Sequence, residues 1–192
     1  LVEAVPPVRG AILVELAVLV VAARAAGRMA SLLFICTHNS RRSHMSQLWA
    51  AAAAAWYGID GVETFSGGTE ATAFNPRAVA AMQRAGFAVD DPGGDNPRYS
   101  VTFGPEASPM SAFSKTWQDE VNPDEGFAAV MTCSQADEAC PFVHGSKLRI
   151  ALPYVDPKVS DGTPDEAATY DERAQQIATE MFYLFSRVAQ MT

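Results

Sequence analysis

A chain of 192 residues, 48% hydrophobic and 19% charged, has the length and apolar content for one domain with a real core. Its 22 acidic residues outnumber 14 basic ones, a formal net charge of −8, which argues against a nucleic-acid binder needing a basic face. Three cysteines, Cys36, Cys133 and Cys140, are too few for a secreted disulfide scaffold and fit a reducing compartment such as the cytoplasm.

Residues 1–28 stand apart. Ala11 to Ala23 is nearly all aliphatic, broken by Glu15 and followed by Arg24. The run is too short for a membrane span, so no membrane partner is expected. Arg9 ahead of it and "AARAAG" behind it give a faint likeness to a signal peptide. Met29 just precedes the first good strand, so the preferred reading is an N-terminal extension, with the domain running over 29–192. A loosely docked helix is the third reading.

Ser31 to Ile35 is continuously apolar, as in a strand covered on both faces. The spacing of Met45, Leu48, Trp49, Ala52 and Trp56 predicts a helix over 43–57, stopped by Gly58. A short strand follows over 62–65, closed by Gly67 and Gly68. Asn75 and Pro76 start a second helix as N-cap and first helical residue, and it runs to Gly86. Residues 90–126 are rich in Pro, Gly, Asp and Asn and read as long loops, with one strand near 99–103 and a short helix near 112–120. Buried strands follow over 127–132 and 148–152. "TPDE", Thr163 to Glu166, predicts a capping box for a long last helix burying Tyr170, Ala174, Ile177, Met181, Leu184, Phe185 and Val188.

Strands alternating with helices imply one parallel sheet with helices on both faces. Sites in such sheets lie beyond the strand carboxyl ends. Cys36, Cys133 and the loop after Leu152 all fall there.

The loop Cys36, Thr37, His38, Asn39, Ser40, Arg41, Arg42, Ser43 joins the first strand to its helix. Backbone N–H groups at a helix start converge, and the helix dipole adds positive charge, so a tetrahedral oxyanion such as phosphate or arsenate fits. Arg42 offers a planar fork to two of its oxygens. The same field favours the Cys36 thiolate, which then faces the anion's central atom as a nucleophile. Asn39 tolerates a left-handed backbone in so tight a loop. Ser43 is placed to hydrogen-bond the sulfur. His38 and His44 are read as loop and helix residues without a catalytic role. The bland alternative is a surface loop with a buried cysteine.

This stretch resembles the phosphate loop of the low-molecular-weight protein tyrosine phosphatase superfamily, which includes thioredoxin-coupled arsenate reductases. "SGGTEATAFNPRAV", Ser66 to Val79, resembles that family's second conserved block. His38 stands where the family usually has Gly, and the 90–126 region is longer. The resemblance implies a flavodoxin-like, doubly wound α/β fold in a single domain.

Cys133 and Cys140 lie seven positions apart in "MTCSQADEACPF". Two buried thiols or half a zinc site would also read this way, but zinc prefers closer pairs and four ligands, so no metal is expected. "CSQADEACP" is similar to the segment after the corresponding strand in the arsenate reductase branch. The resemblance implies a relay. Cys36 attacks arsenate, Cys133 attacks Cys36 and releases arsenite, and Cys140 moves the disulfide outward to a thioredoxin-type reductant. No bound cofactor is needed, and mobility is expected from Ser134 to Glu138 and Gly145. Asp156-Pro157 follows the last strand where the family carries its general acid; a plain Asp-Pro turn is the alternative. A phosphatase acting on phosphotyrosine or a small phosphoester would use Cys36, Arg42 and Asp156 but need neither later cysteine. A catalytically silent oxyanion-binding or redox-sensing protein is the rival from another class.

Overall fold

A computed structural model describes residues 5–192. Four strands form a parallel sheet: β1 (Ala30–Cys36), β2 (Val62–Gly68), β6 (Ala128–Met131) and β7 (Leu148–Ala151), in the order β2-β1-β6-β7. Helices α1 (Pro7–Ala25), α2 (Arg42–Trp56), α3 (Pro76–Arg84), α4 (Ser134–Ala139) and α5 (Glu166–Met191) complete the α/β domain. The interior strand β6 is buried at every position, as its unbroken apolar run requires. On α5 all seven residues expected to be buried are buried, from Tyr170 to Val188. No described helix is long and apolar enough to cross a membrane.

The region 90–126 is more ordered than its composition suggests. Strands β3 (Ala88–Asp90), β4 (Tyr99–Thr102) and β5 (Met110–Ala112) form a separate antiparallel sheet. The helix expected near 112–120 is not formed. Lys115 O accepts from Gly68 N at 2.9 Å, and Trp117 N donates to Gly68 O at 2.9 Å. Backbone committed to the end of β2 cannot also close helical bonds. Side chains protect the rest of this edge: Gln47 Nε2 donates to Thr64 O at 3.0 Å and Asn122 Nδ2 to Ser66 O at 3.1 Å.

The expected capping box is likewise replaced. Thr163 Oγ1 donates to Ser160 O, Glu166 Oε2 accepts from Gly162 N, and the helix begins only at Glu166.

Within the segment expected as an extension, residues 1–4 lie outside the described residues and residues 7–25 form α1. Leu13, Leu16, Ala17 and Val20 are fully buried in the hydrophobic cluster that also holds the sheet and α5. Loose docking is not what is observed. Each buried Leu or Val contributes about 2 kcal/mol of transfer free energy. Their spacing is helical, but an almost wholly aliphatic run hides it, since no polar face contrasts with the buried one.

Candidate active site

The carboxyl ends of β1, β6 and β7 are stitched side by side. Thr132 N donates to Ile35 O at 2.7 Å, and Tyr154 N donates to Thr132 O at 3.0 Å. This places Cys36, Cys133 and the 153–156 segment on one edge of the sheet.

Cys36 is the last residue of β1 and is 3% exposed. Its Sγ lies 3.0 Å from Ser43 Oγ, in the first turn of α2. Asn39 Nδ2 donates to that same oxygen at 2.8 Å, which leaves the Ser43 proton to point at sulfur. Asn39 has φ 45°, the left-handed conformation its position suggested. The amides of His38, Asn39, Ser40 and Arg41 donate to no backbone carbonyl among the described residues. A buried loop with free amides at a helix N-terminus is a cradle for an anion.

The loop is held from outside. Asn39 Oδ1 accepts from Lys115 N at 3.0 Å, and His38 O accepts from Ser114 Oγ at 2.9 Å. Asn96 in turn bonds both backbone groups of Ser114. Gly68 at the end of β2 sits so close that a Cβ there would collide with Thr37 O, Asn39 N and Glu70 O. Sequence reading missed these braces, because isolated polar residues in a Gly- and Pro-rich stretch carry no period. Burial pushes the Lys115 ammonium down to about 8.

Other expected residues fall into two groups. Arg42 is 7% exposed; its Nη1 donates to Tyr154 O at 3.0 Å and its Nη2 to Asp156 Oδ2 at 2.8 Å. Asp156 Oδ1 accepts from Lys158 N, capping the short 3-10 turn Pro157–Ser160. The structure therefore brings Arg42 and Asp156 together. His38 turns away, and Arg41 points past the cradle. Arg41 Nε donates to Tyr170 Oη at 2.9 Å and lies 3.9 Å from Asp156 Oδ1, with Asp161 3.7 Å from its guanidinium, so it adds a second positive charge beside Asp156 and gives the loop its backbone amide. His38 Nε2 meets Glu70 Oε1 at 2.8 Å on the surface, where a side chain in place of Gly is easily housed. His44 is buried, stacked on Phe74 with ring centroids 4.2 Å apart. Burial and the nearby Lys115 charge push it well below the usual histidine range.

The three thiols share one apolar cluster. Cys36 and Cys133 belong to it with Ile35, Met131, Ala136 and Val143, and Cys140 packs against it. All three are free. Cys133 Sγ lies 3.4 Å from Thr37 Oγ1 and accepts from Ala136 N at 3.3 Å as the N-cap of α4. Cys140 is the C-cap of the same helix. The polar run expected to be mobile is therefore a helical turn. Arg149 on β7 braces it, donating to Cys140 O, Asp137 O and Asp137 Oδ1. Gly145 is also held, at φ 82°, with its carbonyl accepting from Gly126 N.

Residues 31–94 match the family model for low molecular weight phosphotyrosine protein phosphatase. An arsenate reductase of Bacillus licheniformis is 25% identical over 160 residues, covering 82% of this chain and 95% of that protein. One of Halalkalibacterium halodurans is 27% identical over 133 residues, covering 69% and 78%. In three dimensions the chain is similar to a low molecular weight protein tyrosine phosphatase from Bacillus subtilis, with a TM-score of 0.57 at 16% identity, covering 83% of this chain and 97% of that one. That likeness shows the flavodoxin-like fold.

Proposed function

We propose that this chain is a member of the low-molecular-weight protein tyrosine phosphatase superfamily and an arsenate reductase working through Cys36, Cys133 and Cys140, a reading supported by the family match over residues 31–94 and by the arsenate reductases it resembles. The observation that carries this reading is the gathering of all three thiols in one apolar cluster at the phosphate loop. Of the three thiols, a hydrolase needs only Cys36. The names of the two relatives point the same way.

Arsenate enters the cradle of free amides, and the Arg42 fork takes two of its oxygens. Ser43 steadies the Cys36 thiolate, which attacks arsenic. Asp156 gives its proton to the departing oxygen, which leaves as water. Cys133, as thiolate, attacks Cys36 Sγ; the electron pair of the sulfur–arsenic bond stays on arsenic, which leaves as arsenite. Cys140 then attacks Cys133 Sγ, forming a Cys133–Cys140 disulfide and freeing the Cys36 thiolate. An external dithiol of the thioredoxin type returns the two electrons. No bound cofactor takes part. A cycle that starts from three free thiols suits the cytoplasm.

One step demands movement. Cys133 and Cys140 cap opposite ends of α4. Seven residues at helical rise separate their Cα atoms by about 10 Å. A disulfide needs about 4.4–6.8 Å, so α4 must unwind before the bond closes.

The experiment is arsenite release with a thioredoxin system as sole reductant, beside aryl phosphate hydrolysis. Repeated arsenite release that needs both Cys133 and Cys140 supports the reductase; hydrolysis without any arsenite release favours a phosphatase.

A further inference from the structure

Helix α1 carries a charge cluster that leads back to the acid. Arg9 donates Nε to Glu180 Oε1 at 2.5 Å and Nη2 to Glu180 Oε2 at 2.8 Å. Glu180, on α5, is 2% exposed. Its Oε2 also accepts from Tyr154 Oη at 2.7 Å. Arg9 Nη1 donates to Pro153 O at 3.0 Å, and its guanidinium lies 4.9 Å from the centre of the Tyr154 ring. The backbone of Tyr154 is held as well, its carbonyl by Arg42 Nη1 and its amide by Thr132 O.

A carboxylate so deeply buried is costly unless its oxygens are satisfied, and here three donors satisfy them. Docking α1 does not require it, because Leu13, Leu16, Ala17 and Val20 already bury an apolar face. Apolar residues of similar volume would often serve stability as well as a buried ion pair does. What the cluster fixes is position. Residues 153–156 have no regular secondary structure, and Val155 is 63% exposed. Tyr154, buried and bonded on every side, is the anchor of that segment, two residues before Asp156.

We propose that Arg9, Glu180 and Tyr154 are positioning residues for the acid: together they hold the 153–156 segment so that Asp156 stands against Arg42 and the bound oxyanion. The proposal rests on the reading of Asp156 as general acid. A general acid works only within hydrogen-bond reach of the leaving oxygen, and a displacement of about 1 Å costs on the order of a hundredfold in rate.

The test compares two substrates of the full chain. Phenyl phosphate has a strongly basic leaving group that needs a proton, whereas para-nitrophenyl phosphate departs nearly unaided. Tyr154→Phe removes one hydroxyl and keeps the ring; Arg9→Lys keeps the charge and loses the fork. Each is expected to lose about tenfold in kcat/KM, which reports the step that expels the leaving group, on phenyl phosphate and less than about twofold on para-nitrophenyl phosphate. Asp156→Asn, the reference, loses more in the same pattern. Equal losses on both substrates, or none, in Tyr154→Phe would overturn the positioning role, and this holds even if Arg9→Lys fails to fold. If Asp156→Asn itself shows no dependence on the leaving group, the acid reading fails and the proposal falls with it.

Discussion

Arg42 Nη2 donates to Asp156 Oδ2 across 2.8 Å, joining the first turn of α2 to the segment after β7. One guanidinium thus touches both the Asp156 carboxyl and, through Tyr154 O, the backbone that carries it. In the proposed mechanism an arriving oxyanion would compete for the same fork, loosening the pair and leaving the carboxyl to face the oxygen that must depart. Arg42→Lys keeps the charge but cannot span both partners. Its kcat/KM is expected to fall about a hundredfold on arsenate and aryl phosphate alike, with the thermal midpoint little changed. Near-parental kcat/KM would remove the forked contact from the account.

Cys140→Ser separates the two chemistries. Aryl phosphate hydrolysis ends when water cleaves the Cys36 adduct and is expected to stay within about twofold of the parent. Arsenate turnover is expected to stop after a single cycle, with a Cys36–Cys133 disulfide visible by non-reducing peptide mapping. Repeated turnover of arsenate by this variant with thioredoxin alone would sink the relay.

Closure of the Cys133–Cys140 bond is expected to melt α4. Amide hydrogen exchange of residues 136–140 is expected to rise at least about tenfold on oxidation, since their bonds to Cys133 O and Ala136 O are lost. Arg149→Ala, which removes the brace on Asp137 and Cys140, is expected to raise the same exchange in the reduced protein. Unchanged protection in the oxidised protein would mean that the thiols approach by another motion.

Much of this was readable in the residues. The strand, loop and helix around Cys36 were set by a continuous apolar run, a polar loop and a helical period. The buried face of α5 was legible for the same reason, from Tyr170 to Val188. What escaped had no local period. Arg9 and Glu180 lie 171 positions apart, and nothing near either one names the other. Ser114 and Lys115 brace the phosphate loop from a segment whose composition reads as loop. Thr163 has the residues of a capping box, yet its hydroxyl is taken by Ser160 O. Tertiary bonds decided each of these.

Gly68 makes the close approach of β2 to the loop possible. Gly68→Ala forces a methyl group against Thr37 O, Asn39 N and Glu70 O, which are backbone atoms with little room to move. It is expected to cost about 1–3 kcal/mol in denaturant unfolding and to weaken oxyanion binding. Parental stability together with parental phosphate affinity would show that the contact is not limiting.

His44 gives stability a pH dependence. Burial and the Lys115 charge hold its pKa well below the ordinary value, so the folded state keeps it neutral while the unfolded state takes up a proton. The contribution is complete above about pH 6.5 and is lost as pH falls below that, by up to about 1.4 kcal/mol per unit. Urea midpoints from about pH 7.5 down to 5.5 are expected to drop, with a shallower slope in His44→Phe. Equal slopes in parent and variant would contradict a buried neutral His44.

The most direct measurement of the central claim follows arsenite formed per enzyme molecule, with thioredoxin, thioredoxin reductase and NADPH as the only source of electrons. The account predicts many turnovers for the parent, a single one for Cys140→Ser and none for Cys36→Ser, while Cys140→Ser still hydrolyses aryl phosphate. Steady hydrolysis of phosphotyrosine by a parent that forms no arsenite would contradict it and leave Cys36 serving a phosphatase.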